Sequence, residues 1–266
     1  MFRQLLTFLK IEWLQTLEYR ADMLFFAFGN CLVPIFGLIV WLAVSNSGSN
    51  LPLNNSQLVQ YYLLVFLVAS ITTSWKAYFI SEDIKSGNIS VFFLKPAYYS
   101  ISVFTDVCAQ KMFRLLFLIP LIFLIGFLYM GLKFLDLNLS MINVFIFIFS
   151  LMMAIIVNFL IDLLIGLTAF WLQENRVIMN LDDMFNFFLS GQLIPLVFMP
   201  TLIKEIGMFL PYRYMVSFPI EVLQGSLSSI DLMLGLIIQL IWVFSLIFLY
   251  LFTFEKGIKS YQGYGS

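Results

Sequence analysis

Few residues in this 266-residue chain could do chemistry, and they fall into three groups. Asp182 and Asp183 are the one adjacent Asp pair. A membrane aspartic protease needs paired carboxylates, but neighbours on a helix point about 100° apart and do not face each other. Asp162 lies in a long apolar run. Intramembrane charge is costly and marks function by default, although the run is long enough that Asp162 could equally lie near the inner surface, paired with Arg176 or Arg114. Glu82, Asp83, Ile84, Lys85 and Gly87 open the longest polar stretch. A short helix there would present Glu82, Asp83 and Lys85 to a partner, and Gly87 would permit a left-handed turn. The plainer alternative is a solvated charged loop.

Other chemistries drop out. The chain has no His, which removes the commonest general base, proton shuttle and metal ligand. Cys31 and Cys108 lack any metal-site spacing and read as buried thiols. No glycine-rich phosphate loop of the G-x-x-x-x-G-K-[ST] kind is present, so ATP hydrolysis of that type would need another subunit. We expect no enzyme activity, no cofactor and no metal. A net charge of −1 leaves no footprint for nucleic acid.

The elements that must position these groups are membrane helices. Hydrophobic residues make up 62% of the chain and charged residues 11%, too apolar for a water-soluble fold. Residues 1–20 carry Phe2, Leu5, Leu6, Leu9, Trp13 and Leu17 on one side, which reads as an amphipathic helix lying in the membrane interface. Apolar runs from Met23 to Val44, Leu58 to about Ile80, Leu115 to Leu132, Met141 to Leu172, Val177 to Met199 and Leu232 to Phe254 predict six spans. The fold class is therefore all-α, one transmembrane domain over 1–266. Residues 81–111 read as its long cytoplasmic loop. Between spans five and six, Gly191, Pro195, Pro200, Pro211, Pro219 and Gly225 alternate with Leu, Phe and Met. That pattern predicts short helices over 191–230 that re-enter the membrane from outside, since such backbone is tolerated only where protein buries it or water lines it. With both termini cytoplasmic, 11 of the 14 Lys and Arg residues fall inside, as the positive-inside rule requires.

Two regions carry a resemblance. The run from Ser81 to Ile89, followed by Phe92-Phe93-Leu94-Lys95-Pro96, resembles the first cytoplasmic loop of ATP-binding-cassette permeases of the type-2 (ABC-2) exporter superfamily. That loop has an acidic residue, Ile, a basic residue, any residue and Gly, then a Leu-basic-Pro ending. Gly191 to Pro200 is similar to the family's G-x-x-x-P-L-x-x-x-P run, and Leu210-Pro211-Tyr212-Arg213, Phe218-Pro219 and Leu223-Gln224-Gly225 resemble the family's continuation of that run. Lys85 stands where Arg is common, which keeps the charge but loses the planar fork. The chain looks most like small bacterial permeases encoded beside a second permease and an ATPase.

The resemblance implies a permease subunit in the bacterial cytoplasmic membrane. It would pair with a second permease chain, identical or not, among membrane lipids, and two cytoplasmic ABC ATPase subunits would dock below. The substrate would be amphiphilic: a lipid, peptide or drug-like molecule. Residues 82–87 would then couple to the ATPase, and the Gly and Pro residues from Gly191 to Gly225 would form an outer gate. The rivals are an ion-driven secondary transporter, whose inverted repeats are not evident here, and a membrane scaffold or assembly protein.

Overall fold

The structure is a computed structural model that describes residues 2–48, 51–93, 99–130 and 140–261. Among them there are helices and no strand. Helix α1 covers Phe2–Glu18 and α2 Arg20–Asn46; α3 covers Asn55–Thr72, α4 Lys76–Lys85, α5 Ser90–Phe93 and α6 Tyr99–Met130. The chain continues through α7 (Met141–Leu167), α8 (Arg176–Leu189), α9 (Thr201–Phe209), α10 (Ser217–Gln224) and α11 (Ser229–Ser260). Short 3-10 turns sit at Thr168–Phe170, Leu196–Phe198 and Pro211–Met215.

Four stretches are long and apolar enough to cross a membrane: Asn55–Lys85, Tyr99–Phe127, Met141–Phe170 and Ser229–Ser260. The described apolar part of α2, Leu32–Asn46, is shorter than a crossing.

The bundle is organised around α3. Asn54 opens it with a capping box, its side chain accepting from the Gln57 N–H while Gln57 accepts from the Asn54 N–H. Beyond the cap, every residue from Leu58 to Ala69 except Gln60 and Leu67 is buried. A helix apolar all round belongs in the middle of a bundle, and α3 packs on α2, α6, α7 and α10. On the far side α7 packs along α11 and α4. Helix α1 lies against α6, with Trp13 edge-on to Phe113 at 6.4 Å.

Three expected boundaries change. The run from Leu58 to Ile80 falls within one crossing stretch, Asn55–Lys85, but its helix is interrupted: it stops at Thr72 and restarts at Lys76. The polar stretch 81–111 is helical at both ends: α4 reaches Lys85, and α6 already begins at Tyr99. Hydropathy does not reveal this, since Asp106, Gln110 and Lys111 make the start of α6 read as polar, and only the fold buries Lys111. The fifth run, Val177 to Met199, is helical only over the 14 residues of α8. That is about 21 Å at 1.5 Å per residue, short of a hydrocarbon core. Beyond it the chain turns at Gly191, where φ is +87°.

Prolines mark where the helices of 191–225 begin rather than where they fail. Pro195 precedes the turn at Leu196–Phe198, Pro200 precedes α9, Pro211 opens the next 3-10 turn, and Pro219 lies in the first turn of α10. Their missing N–H groups have no helical partner to lose at these positions. Gly225 ends α10 at φ +63°, where the Gly225 and Ser226 N–H groups close back on Val222 and Glu221. The region is packed into the core, since Tyr214, Met215, Phe218, Ile220 and Val222 are all buried.

Candidate functional site

The interruption between α3 and α4 is the most polar buried place in the bundle. Breaking a helix frees backbone groups that must find partners when water is excluded. Here three of them are met by side chains from other helices. Asn158 and Asp162, four residues apart and therefore on one face of α7, turn towards the break. The Ser74 N–H donates to Asn158 Oδ1 at 2.8 Å, and the Lys76 N–H to Asp162 Oδ2 at 3.2 Å. The Ser74 hydroxyl, with one proton to give, has two acceptors within reach, Asn158 Oδ1 at 3.1 Å and Asp162 Oδ2 in a short contact. From the opposite side, the Lys111 ammonium of α6 donates to the Thr72 carbonyl at 2.8 Å. Lys76 itself pairs with Asp106, whose other oxygen accepts from Gln110 at 2.7 Å.

Asp162 is thus buried inside the bundle, and neither expected salt-bridge partner reaches it. Arg176 pairs with Glu174 at 3.6 Å on the surface, and the Arg114 Nε has no hydrogen-bond partner among the described residues. The charge set extends to α1. Burial, with the Asp106 carboxylate nearby, pushes the Glu12 carboxyl above its ordinary range, and Lys76 partly offsets this. Glu12 of α1, which packs on α6, thus feels the charge of this cluster.

Helix α4 divides the expected coupling residues into two kinds. Ala77, Ile80, Ser81 and Ile84 recur at helical spacing and are buried against α7. The approach is close: a Cβ on Gly166 of α7 would lie 2.6 Å from the Ile80 side chain and 3.2 Å from the Ala77 carbonyl. Asp83 turns inward and accepts from the Tyr99 hydroxyl at 2.8 Å. Asn175, buried after α7, donates to the Ser81 hydroxyl at 2.7 Å. Ile84 and Asp83 therefore anchor the helix, while Glu82 is exposed and Lys85 half-exposed at its end. Gly87 comes next but one, with φ +83°.

The segment after α8 is fastened to α2 and α3 by aromatic donors. Tyr61 donates its hydroxyl to the Gly191 carbonyl at 2.8 Å, Tyr62 to the Leu193 carbonyl at 2.8 Å, and the Trp41 indole to the same Leu193 oxygen at 3.2 Å. The Ser217 N–H reaches the Ser190 carbonyl at 3.1 Å. Arg213 pairs with Glu221 at 2.6 Å, and Tyr212 donates to Asp182 at 2.9 Å. We expect Tyr61→Phe to lower stability by about 1–3 kcal/mol, because it leaves a buried carbonyl unsatisfied. A fluorescence-detected melting series in nanodiscs checks this.

A second polar clamp is not foreshadowed by any charge or motif in the sequence. Gln239 of α11 is fully buried and donates to the carbonyls of Ser150 at 2.9 Å and Tyr214 at 3.1 Å, while the Ser150 hydroxyl donates back to its Oε1 at 3.0 Å. It ties α7, α11 and the turn at Pro211–Met215. The one available signal is a Gln inside an apolar span. Asn158 gives the same kind of signal, and neither position carries a charge to draw attention.

A long apolar bundle, a membrane helix broken between α3 and α4, and a proline-punctuated segment before the last helix define a polytopic membrane protein. The ABC-2 family transporter protein model matches residues 31–265, and the chain belongs to that family. No curated protein matches the sequence closely. It is thus an ABC-2 type permease, a membrane transport component rather than itself a catalyst, of a kind that associates with an ABC ATPase.

Proposed function

We propose that this chain is the membrane half of an ATP-driven exporter for an amphiphilic substrate, working as a dimer of permeases above two cytoplasmic ATPases. The observation that carries the reading is α4. It is a short, rigidly seated helix with an exposed charged end, separated from the central helix α3 by three residues of non-helical chain. Force applied at Glu82 and Lys85 would reach Ile84 and Asp83. From there it would pass to the break, where Asn158, Asp162 and Lys111 hold one arrangement of the α3–α4 junction. Hinge or shear movement of the packed helices would then turn that force into exchange between inward- and outward-open states.

In this reading α2 and the α8 segment join the four long apolar stretches to make six membrane elements. Both termini lie in the bacterial cytoplasm, and residues 191–225 enter from the outside as the gate. The buried backbone there, satisfied by Tyr61, Tyr62 and Trp41, supports this placement.

Glu82→Lys and Gly87→Val test the coupling. Both variants should insert and purify normally, yet bind the cognate ATPase poorly or lose substrate-stimulated hydrolysis by about tenfold. Unchanged transport in both would place the contact elsewhere, with 173–180, the turn into the start of α8, the next segment to examine. The buried ionisable set at Asp162 is the feature an ion-driven carrier would use. Substrate movement by the chain alone in liposomes under an ion gradient would decide for that rival.

A further inference from the structure

Two cavities adjoin the helix break and share Trp75 and Asp183 in their walls. The larger, about 260 Å³, lies between α2, α3 and α8, with Leu32, Val33, Ala69 and Phe187 as its apolar sides. The smaller, about 80 Å³, reaches Asp162 and Asp182. The ionisable groups that line them are all acidic: Asp183 in the first, and Asp162, Asp182 and Asp183 in the second. No Lys or Arg is among the lining residues of either.

The polar groups of the larger cavity are not used up by the protein. Asp182 accepts from Tyr212 and Asp162 from Ser74 and Lys76, whereas Asp183 makes no hydrogen bond or ion pair among the described residues. Asn186 and Gln192 are 8% and 5% exposed and bond to each other once, Gln192 Nε2 donating to Asn186 Oδ1 at 3.1 Å. The Asn186 Nδ2 and the Gln192 Oε1 have no partner among the described residues, and both side chains line the cavity. Neither atom is sealed off within the protein, so a group in the cavity can reach these free amide ends. The Trp75 ring, half exposed, stands at the same wall.

We infer that the larger cavity binds the head of a lipophilic monocation, a quaternary or primary ammonium carried on an apolar tail. This inference rests on the transport reading above and names its substrate class. Asp183 supplies the counter-charge where low dielectric makes it strong. Trp75 offers the best aromatic face for an ammonium, and the free amide ends complete the shell of a hydrogen-bonding head. The volume fits a head rather than a whole drug-sized molecule. A tail would continue along Leu32, Ile35 and Phe36, which α2 leaves exposed beside the opening. An anionic amphiphile would meet an unpaired carboxylate instead.

The test uses the full chain in phosphatidylcholine nanodiscs, with radiolabelled dodecyltrimethylammonium as the probe and empty discs subtracted. Saturable binding is expected, displaced by excess unlabelled probe and not by dodecyl sulfate or dodecanol. Asp183→Asn should weaken it about tenfold or more, with Asp183→Glu retaining most affinity. Trp75→Leu should weaken it severalfold, with Trp75→Phe in between. Equal displacement by dodecyl sulfate or dodecanol would overturn the inference, as would undiminished affinity in Asp183→Asn. Saturable binding of radiolabelled lysophosphatidylethanolamine, with none of the probe, would assign the cavity to a zwitterionic lipid head and also overturn it. If Asp183→Asn fails to fold, the competitor series and Trp75→Leu still decide. Binding is read without any ATPase, so failure of the exporter reading and failure of this one are separable.

Discussion

Gly191→Val is expected to abolish recovery of folded protein, while Gly191→Ala leaves a fraction that melts well below the parent. Two costs coincide at this residue. Its φ of +87° lies where a β-branched side chain is strained by more than about 1–2 kcal/mol. A Cβ would also meet the Tyr61 hydroxyl at 2.7 Å and the Ser217 Cβ at 3.0 Å. Tyr61 cannot retreat cheaply, because its hydroxyl is the donor to the Gly191 carbonyl. Losing that bond exposes a buried acceptor, for another ~1–3 kcal/mol. The combined loss, on the order of 3–5 kcal/mol, is a large share of a domain's stability. Gly207→Ala is the matched control: Gly207 lies inside α9, has no positive φ, and a Cβ there meets nothing within 4 Å. Size-exclusion profiles and melting midpoints of the three variants read the difference. Normal folding of Gly191→Val would mean that the segment from Ser190 to Leu193 is not held as described.

Asp162→Ala should also be damaging, by about 2–5 kcal/mol, since it leaves two buried donors unsatisfied at about 1–3 kcal/mol each. The Lys76 N–H and the Ser74 hydroxyl lose a shared acceptor. Lys111 remains bonded to the Thr72 carbonyl on the other side of the break. Asp162→Asn keeps one acceptor oxygen and should cost about half as much. Asn158→Ala should fall between them, because the Ser74 N–H has no other acceptor. If the break is the joint through which α4 acts, Asp162→Asn will also uncouple transport from hydrolysis in protein that still folds. Melting midpoints in nanodiscs, compared with ATPase rates in the reconstituted complex, separate the structural loss from the functional one. A midpoint for Asp162→Ala within one degree or so of the parent would show that the buried node does not hold the helices.

Several features are legible from residue order alone. The apolar runs that become α3, α6, α7 and α11 announce themselves because a bilayer sets one length and one composition. Gly87, Gly191 and Gly225 stand out by motif, and each has a positive φ. The prolines from Pro195 to Pro219 are also visible, since a residue without an N–H punctuates helices wherever it falls. Family membership agrees with the order of these motifs and is carried by residues 31–265.

What residue order could not decide is which polar groups face one another. Thr73, Ser74 and Trp75 look ordinary within an apolar run, and nothing local stops a helix there. The break persists because Asn158, Asp162 and Lys111, 39 to 88 residues away, supply the partners that its freed backbone requires. Asp83 and Ile84 read as presented charges and motif; only packing against Tyr99 and α7 makes them anchors and leaves Glu82 outside. Asp183 matches Asp182 in sequence, yet Tyr212 satisfies one and leaves the other facing a cavity. Composition and periodicity determine which segments leave water, because transfer free energy is a property of each residue and its near neighbours. The partners of a buried polar atom depend on contacts between distant segments, so only the tertiary structure decides them.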